Sequence, residues 1–255
     1  MLVDIKMTTC VVRRLGLVPY AAAWDLQKDL ALRRARDEIP DTLLLLEHPH
    51  TYTLGRSGRA ENLLLDEAGL RARGIDLFWV DRGGDITYHG PGQLVGYPIM
   101  KLGRPVAAAG RIPQADYVGY VRRIEETLIR ALARFGLVAG QLSGLTGVWI
   151  QPDVASRCPH CPPAARQAPS KIAAIGVKVD ARGVSQHGFA LNVNPDMSYW
   201  DGIIGCGLKD HASISMADLL GEPPPLEAVM DDVVRAFEKV FGREMATMGA
   251  ERLNK

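Results

Sequence analysis

The chain has 255 residues, of which 47% are hydrophobic and 23% are charged, which excludes wholesale disorder and allows one large domain or two small ones. Lys and Arg number 30 against 29 Asp and Glu, a formal net charge of +1, which argues against a dedicated nucleic-acid-binding protein. No apolar run reaches the roughly 18 residues of a membrane span, and the N-terminal sequence MLVDIKMTTC lacks a secretory pattern. With four cysteines, we expect a cytoplasmic protein without a disulfide framework.

The predicted elements of the first half alternate between helices and strands. Apolar spacing predicts an amphipathic helix from Pro19 to Arg36, and Thr42 to Glu47 is typical of a buried strand. A short helix from Asn62 to Arg73 and a strand from Asp76 to Val80 follow. The glycine-dense stretch from Arg82 to Gly96 then predicts loops and bulged strands.

The second half contains the clearest helical pattern, from Gln114 to Phe135, where apolar residues recur every three or four positions. Thr146 to Ile150 predicts a strand, and Lys171 to Val179 with Gly188 to Val193 predicts a strand pair. The mixture of helices and strands indicates an α/β or α+β fold class.

The segment from Gln151 to Ser170 has five prolines and little periodicity, which predicts an exposed loop insertion. It contains Cys158-Pro-His-Cys161, a single C-x-x-C that supplies half of a zinc site at most. A metal-binding regulator built on these cysteines remains an alternative, which the metal content of the purified protein would settle.

The prolines of Glu222-Pro-Pro-Pro225 predict another break in the regular secondary structure, just before a last predicted helix from Leu226 to Phe241. We therefore expect one main domain over residues 1–222. A C-terminal helical extension, residues 223–255, should pack on that domain.

Two separate residues are candidates for nucleophilic chemistry. Cys206 lies between two glycines, which leave its thiol accessible and nearby backbone N–H groups free to face an oxyanion. Lys171 opens an apolar, strand-like run, where partial desolvation would make a lysine a credible proton acceptor. The residues alone leave other readings open, because lone cysteines are often buried and lysines often snorkel at strand ends.

The glycine-rich segment RGGDITYHGPGQ, residues 82–93, is a candidate ligand site because glycines let the backbone approach a ligand closely. It matches neither the Walker nor the Rossmann glycine pattern, so it predicts no nucleotide. Tight turns around a hydrogen-bonded His89 would give the same spacing. His187 to Asn192 is similarly ambiguous, since a hairpin edge would look the same.

Four blocks in a fixed order make a more specific pattern, and they resemble the lipoyl(octanoyl) transferase family of lipoate biosynthesis. The blocks are RGGDITYHGPGQLVGYPI (82–99), KIAAIGVKV (171–179), HGFALNVN (187–194) and GIIGCGL (202–208). The resemblance runs from about Leu43 to about Leu220. It implies an acyltransferase catalytic domain with the fold of the biotin and lipoate protein ligases, a mixed sheet flanked by helices.

The resemblance also implies the site residues by position. Cys206 matches the nucleophile that takes the octanoyl group as a thioester, and Lys171 matches the lysine that promotes ionisation of the thiol and handles its proton. The implied acyl-binding residues are Arg82, Gly83, Gly84, Asp85, Ile86, Thr87, Tyr88, His89, Ala174, Ile175, Gly176, Gly188, Phe189 and Ala190. Gly205 departs from the family, which commonly has proline there, and this leaves the positioning of the nucleophile in question.

The implied function is transfer of an octanoyl group from octanoyl-acyl carrier protein to a specific lysine of apo lipoyl domains, the first step of endogenous protein lipoylation. The implied acceptors are the 2-oxoacid dehydrogenases and the glycine cleavage H protein. We expect a monomer that uses no cofactor or metal and binds no nucleic acid or membrane. The alternatives are an ATP-dependent lipoate–protein ligase of the same fold and a non-catalytic acyl-carrier or lipoyl-domain binding protein.

Overall fold

Two β-sheets organise the part of the chain that a computed structural model describes, residues 8–103, 116–208 and 210–247. The strands are β1 (Thr8–Leu17), β2 (Asp41–Glu47), β3 (Thr51–Leu54), β4 (Asp76–Trp79), β5 (Ile86–His89), β6 (Gln93–Ile99), β7 (Gly140–Leu142), β8 (Leu145–Ile150), β9 (Ser170–Val179), β10 (Ser185–Asn192) and β11 (Arg243–Thr247). The α-helices are α1 (Tyr20–Ala35), α2 (Glu67–Ala72), α3 (Tyr117–Ala133), α4 (Pro152–Ala155), α5 (Met216–Leu220) and α6 (Leu226–Phe241).

The larger sheet has eight strands in the order β11-β1-β2-β6-β10-β9-β8-β7. β1 runs parallel to β2 and β11, whereas the remaining neighbours are antiparallel. The smaller sheet has the order β4-β3-β5. The architecture is therefore the mixed α/β (α+β) sheet with flanking helices that the sequence predicts.

Strand β2 has a continuous apolar run of four leucines because both of its faces are covered. Leu43 and Leu45 enter the core beneath α3 and α6, whereas Leu44 and Leu46 enter the core beneath α1. Because successive side chains of a strand point to opposite faces, a strand covered on both faces needs apolar residues at every position.

Helix α6 packs against α3 and buries Val229, Val233 and Phe237 in the same core as the central strands. The division of the chain after residue 222 stays a prediction. No α-helix among the described residues combines the length and the apolarity that crossing a membrane would require.

Two helices begin later than the sequence predicts. In place of the helix from Asn62 to Arg73, the chain forms a 3₁₀ turn at Ala60–Asn62 and then α2. Asp66 sets the start of α2, since its carboxylate accepts a hydrogen bond from the backbone N–H of Gly69 at 2.8 Å. The helix predicted from Gln114 begins at Tyr117, and Gln114 itself lies outside the described residues.

The prediction of an exposed loop insertion is wrong for part of Gln151–Ser170. Helix α4 and a 3₁₀ turn at Pro163–Arg166 structure this segment, and four of its small side chains are buried in the main core: Ala155, Cys158, Cys161 and Ala165. The thiol of Cys158 donates to the Asp218 carbonyl oxygen at 2.9 Å. Short turns between prolines have no helical or strand period, so periodicity could not reveal this packing. Within the described ranges, no cluster of three His, Cys, Asp or Glu side chains could hold a metal ion.

Candidate active site

Cys206 lies at the centre of a 3₁₀ turn, Gly205–Gly207, with its own backbone in the left-handed region at φ +55°. Such a conformation costs a non-glycine residue about 1–3 kcal/mol and persists only where neighbours hold it. The backbone N–H of Ile204 donates to the Asn62 carbonyl oxygen at 2.8 Å, which anchors the turn to the rest of the fold. A Cβ on Gly205 would lie 2.9 Å from the Trp200 ring, so Trp200 occupies the space that a larger residue at 205 would need.

Lys171, the second residue of β9, directs its Nζ at the Cys206 thiol, and the Nζ to Sγ distance is 3.3 Å. Its backbone is fixed on both sides, because its N–H donates to Ala212 and its carbonyl oxygen accepts from Ile214. The ammonium group also lies 4.7 Å from the centroid of the Trp149 ring. The pair therefore places an amine that can carry a proton in hydrogen-bond contact with a nucleophilic thiol.

A mostly apolar cavity of about 190 Å³ opens beside this pair. It brings together eleven of the fourteen predicted acyl-binding residues: Arg82, Gly84, Asp85, Thr87, His89, Ala174, Ile175, Gly176, Gly188, Phe189 and Ala190. Cys206 and Lys171 are at its wall as well. The three predicted segments therefore converge on one space, although their roles in acyl binding stay predictions.

The other three predicted residues do not line the cavity. Ile86 and Tyr88 point into the separate core under the small sheet, because alternate residues of β5 face opposite sides. Gly83 acts through its backbone, whose N–H donates to the Val177 carbonyl oxygen at 3.0 Å and ties this loop to β9.

Arg82 places a second cation at the cavity. Its guanidinium is buried, and its Nη2 donates to the Thr53 carbonyl oxygen at 2.7 Å and its Nη1 to the Gly83 carbonyl oxygen at 2.9 Å. Burial lowers the pKa of Arg82, yet a guanidinium stays protonated in proteins. Together with Lys171 it makes the cavity favourable for negative charge on a thiolate or an oxyanion.

Cys206 is also reached from a second side, by an open and more polar groove of about 530 Å³. Asp85 lies in its floor, where Oδ1 accepts from the backbone of Arg59 and Ile86 and Oδ2 accepts from Asn62 Nδ2. The thiol therefore lines both a mostly apolar cavity and a more polar groove.

Sequence reasoning missed several residues of the cavity wall, namely Tyr20, Tyr97, Gly144, Leu145, Thr146, His187 and Leu208. His187 could have been found, because it precedes Gly188 in one of the recognised blocks. Tyr20 carries no signal, since it reads as the first residue of an ordinary amphipathic helix.

The comparisons with known proteins show the family of the chain. A family model for the lipoyl protein ligase A/B catalytic domain matches residues 19–238. The octanoyltransferase of Chloroflexus aurantiacus is 45% identical over 238 residues, which cover 93% of this chain and 96% of that protein. The octanoyltransferase of Rubrobacter xylanophilus is 46% identical over 233 residues, which cover 91% of this chain and 93% of that protein.

Solved structures show the fold. The bipartite lipoate protein ligase of Thermoplasma acidophilum has a TM-score of 0.64 at 17% identity and covers 95% of this chain and 88% of its own. A lipoate-protein ligase A bound with ATP has a TM-score of 0.62 at 15% identity and covers 95% of this chain and 90% of its own. These likenesses confirm the predicted ligase-like sheet. The chain therefore belongs to the lipoyl protein ligase A/B catalytic domain family and, with curated octanoyltransferases as relatives, is an acyltransferase.

Proposed function

We propose that this protein transfers an octanoyl group from octanoyl-acyl carrier protein to a specific lysine of a lipoyl domain, through a thioester on Cys206. The observation that carries the proposal is the 3.3 Å contact between Lys171 Nζ and Cys206 Sγ at the mouth of the apolar cavity. The proposed acceptors are lipoyl domains of 2-oxoacid dehydrogenases and the glycine cleavage H protein. The protein would act in the cytoplasm as a monomer, without a cofactor.

In the first half-reaction, the Cys206 thiolate attacks the carbonyl carbon of the donor thioester. The tetrahedral intermediate collapses with release of the carrier thiolate, which takes its proton from the Lys171 ammonium. One thioester replaces another, so the step is nearly balanced in free energy and needs no ATP. The cations of Lys171 and Arg82 stabilise the charge that develops in this transition state.

In the second half-reaction, the neutral amine of the acceptor lysine attacks the acyl-Cys206 carbonyl carbon. The C–S bond breaks, an amide forms, and the departing Cys206 thiolate is stabilised by Lys171. The attacking amine gives its excess proton to the neutral Lys171 amine that the first half-reaction left, and the resulting ammonium beside the Cys206 thiolate restores the pair for another cycle. Conversion of a thioester to an amide is downhill, so this step drives the overall transfer.

The two sides of Cys206 suit the two parts of each substrate. The apolar cavity would take the alkyl chain, whose burial is worth about 0.8 kcal/mol for each CH₂ group. The open polar groove would admit the donor's thiol-bearing arm and later the acceptor lysine. Because both use the groove in turn, the geometry suits a ping-pong reaction.

The second candidate is an ATP-dependent lipoate–protein ligase, which the fold itself favours, since the similar solved structures include ligases. Ligation through an acyl-adenylate requires no thiol, however. The Lys171–Cys206 contact is therefore better explained by thioester chemistry.

Intact-protein mass after mixing with octanoyl-acyl carrier protein, without ATP, tests the proposal. We expect an octanoyl adduct on the wild type that an apo lipoyl domain discharges, and no adduct on Cys206→Ala. Cys10→Ala is the matched control, because Cys10 is fully buried in the main core and should leave loading unchanged. Modification of the lipoyl domain only with free octanoate and ATP would instead establish the ligase.

A further inference from the structure

The acyl cavity has a measurable length along strand β5. Asp85 marks its nucleophile end, because a Cβ on Gly207, next to Cys206, would lie 3.0 Å from Asp85 Oδ2. Thr87 and His89 follow on the same face and line the same cavity. Four residues of extended strand span about 13 Å, so His89 lies about that far from the nucleophile end.

An octanoyl chain matches this length. With C–C bonds near 1.5 Å, its extended carbon chain spans about 9 Å, and a carbon–carbon contact at its far end adds about 4 Å. The sum is close to the distance between the Asp85 and His89 positions. A chain with two or four more carbons would have to displace whatever closes the far end.

Four ring side chains of the cavity lining include His89 and its ring neighbour Tyr20, and Tyr97 with its ring neighbour His187. We call these four the end wall. The Tyr20 ring stacks on His89 with centroids 5.9 Å apart and is backed by Phe78 at 5.2 Å. Tyr20 is only 2% exposed, so its ring has little room to move aside. Among these four, only His89 belongs to a predicted acyl-binding segment, and Tyr20, Tyr97 and His187 belong to none.

His187 makes the end wall polar. Its backbone is held in the left-handed region at φ +56°, and its N–H donates to Gln27 Oε1 at 2.7 Å. Its Nε2 donates to the Asp81 carboxylate at 2.9 Å, which leaves Nδ1 as a buried acceptor without a partner among the described residues. Pressing additional methylene groups against an unpaired buried nitrogen gains little, because the nitrogen cannot be satisfied by hydrocarbon.

We propose that the end wall, chiefly Tyr20 and His187, sets the length of the acyl chain that the protein accepts, admitting octanoyl and excluding decanoyl and dodecanoyl. This inference rests on the proposed function and extends it to substrate specificity. Tyr20 blocks longer chains by its volume, and His187 disfavours them by its unpaired nitrogen.

The test compares covalent loading rates from hexanoyl-, octanoyl-, decanoyl- and dodecanoyl-acyl carrier protein, measured by intact-protein mass. We expect Tyr20→Ala to raise the dodecanoyl-to-octanoyl ratio of rates by at least about tenfold, since one misplaced methylene alone is worth 10- to 200-fold. Tyr20→Phe keeps the ring and should keep the wild-type profile. Tyr120→Ala is the matched control, because Tyr120 is another fully buried tyrosine and does not line the cavity.

His187→Ala provides a second variant in case Tyr20→Ala fails to fold, and we expect it to shift the preference towards decanoyl. Folded Tyr20→Ala and His187→Ala proteins that both keep the wild-type chain profile would overturn the inference.

Calorimetric binding of octanoate and dodecanoate to Cys206→Ala separates this inference from the proposed function, because it requires no transfer. A preference for octanoate that Tyr20→Ala reverses in this background would support the end wall even if loading were never observed. Equal binding of the two acids before and after the change would overturn it.

Discussion

Lys171→Met removes the amino group beside Cys206 but keeps most of the lysine's aliphatic side chain. That side chain packs against Gly147, where an added Cβ would lie 3.2 Å from Lys171 Cε. Opposite charges at the observed Nζ to Sγ distance of 3.3 Å attract by at most about 5 kcal/mol at an effective dielectric constant near 20. Because Cys206 also faces the polar groove, solvent screens part of this attraction. We therefore expect a loss of about 1.4–2.8 kcal/mol of thiolate stabilisation, or about 10- to 100-fold at neutral pH.

The assay is the rate of Cys206 alkylation by iodoacetamide, followed by intact-protein mass from about pH 5 to about pH 10, a range that brackets the pKa of about 8.5 of an ordinary cysteine thiol. Native labelling reports on Cys206 because the other three cysteines are buried. Lys178→Met is the control. Lys178 is a lysine of the same strand, but its ammonium group pairs with Asp81 and not with Cys206. If Lys171→Met were alkylated at the wild-type rate throughout, the Lys171–Cys206 pair would have no part in activating the thiol.

Three further predictions concern the frame around the site. Gly188→Ala places a methyl group onto the Gly96 carbonyl oxygen, so urea unfolding should show that the free energy of unfolding falls by more than about 3 kcal/mol. Gly140→Ala is the control: a Cβ there meets no atom within 4 Å, so the free energy of unfolding should change by less than about 1 kcal/mol. Cys158→Ala should lower the free energy of unfolding by about 1–2 kcal/mol, because a buried thiol and its hydrogen bond are lost; a change near zero would mean that the insertion is loosely attached. Burial lowers the pKa of His48 from 6.5 to about 4, so the unfolded chain takes up a proton first and stability falls between these two pH values. From pH 7 to pH 4, the wild type should lose up to about 3 kcal/mol more than His48→Gln, and parallel losses in the two proteins would contradict the assignment.

The main sheet and its long helices follow from the sequence because their burial is periodic. Strand β2 shows four consecutive leucines, and α3 shows apolar residues at helical spacing. In the small sheet only β4 is predicted, as the strand from Asp76 to Val80, whereas β3 and β11, like β1 and β7 of the main sheet, are not predicted. The strands of the small sheet have four residues each, and β11 carries a mixed sequence that is only partly buried. Their pairing depends on tertiary partners and not on local pattern.

The sequence likewise predicts some residues of the candidate site and not others. Residue chemistry and motif order together selected Cys206 and Lys171, but only the fold explains how residues 35 positions apart come into contact. The reason is the backbone pairing of Lys171 with Ala212 and Ile214, which brings the segment after the nucleophile alongside the start of β9. Tyr20 could not be predicted, because a helix-opening tyrosine acquires its place only when α1 covers the far end of the cavity.

The glycines around the site have a role that the sequence left open between ligand binding and turns. Gly83 hydrogen bonds through its backbone to Val177, and a Cβ on Gly176 would lie 2.9 Å from the Gly83 carbonyl oxygen. These glycines therefore let the loop between β4 and β5 lie directly on β9. That close approach places Asp85, Thr87 and His89 opposite β9 and β10, and the cavity is the space left between them. The glycine-rich segment thus builds the cavity, the proposed acyl site, by bringing two sheets together, which explains why its spacing matches no phosphate-binding pattern.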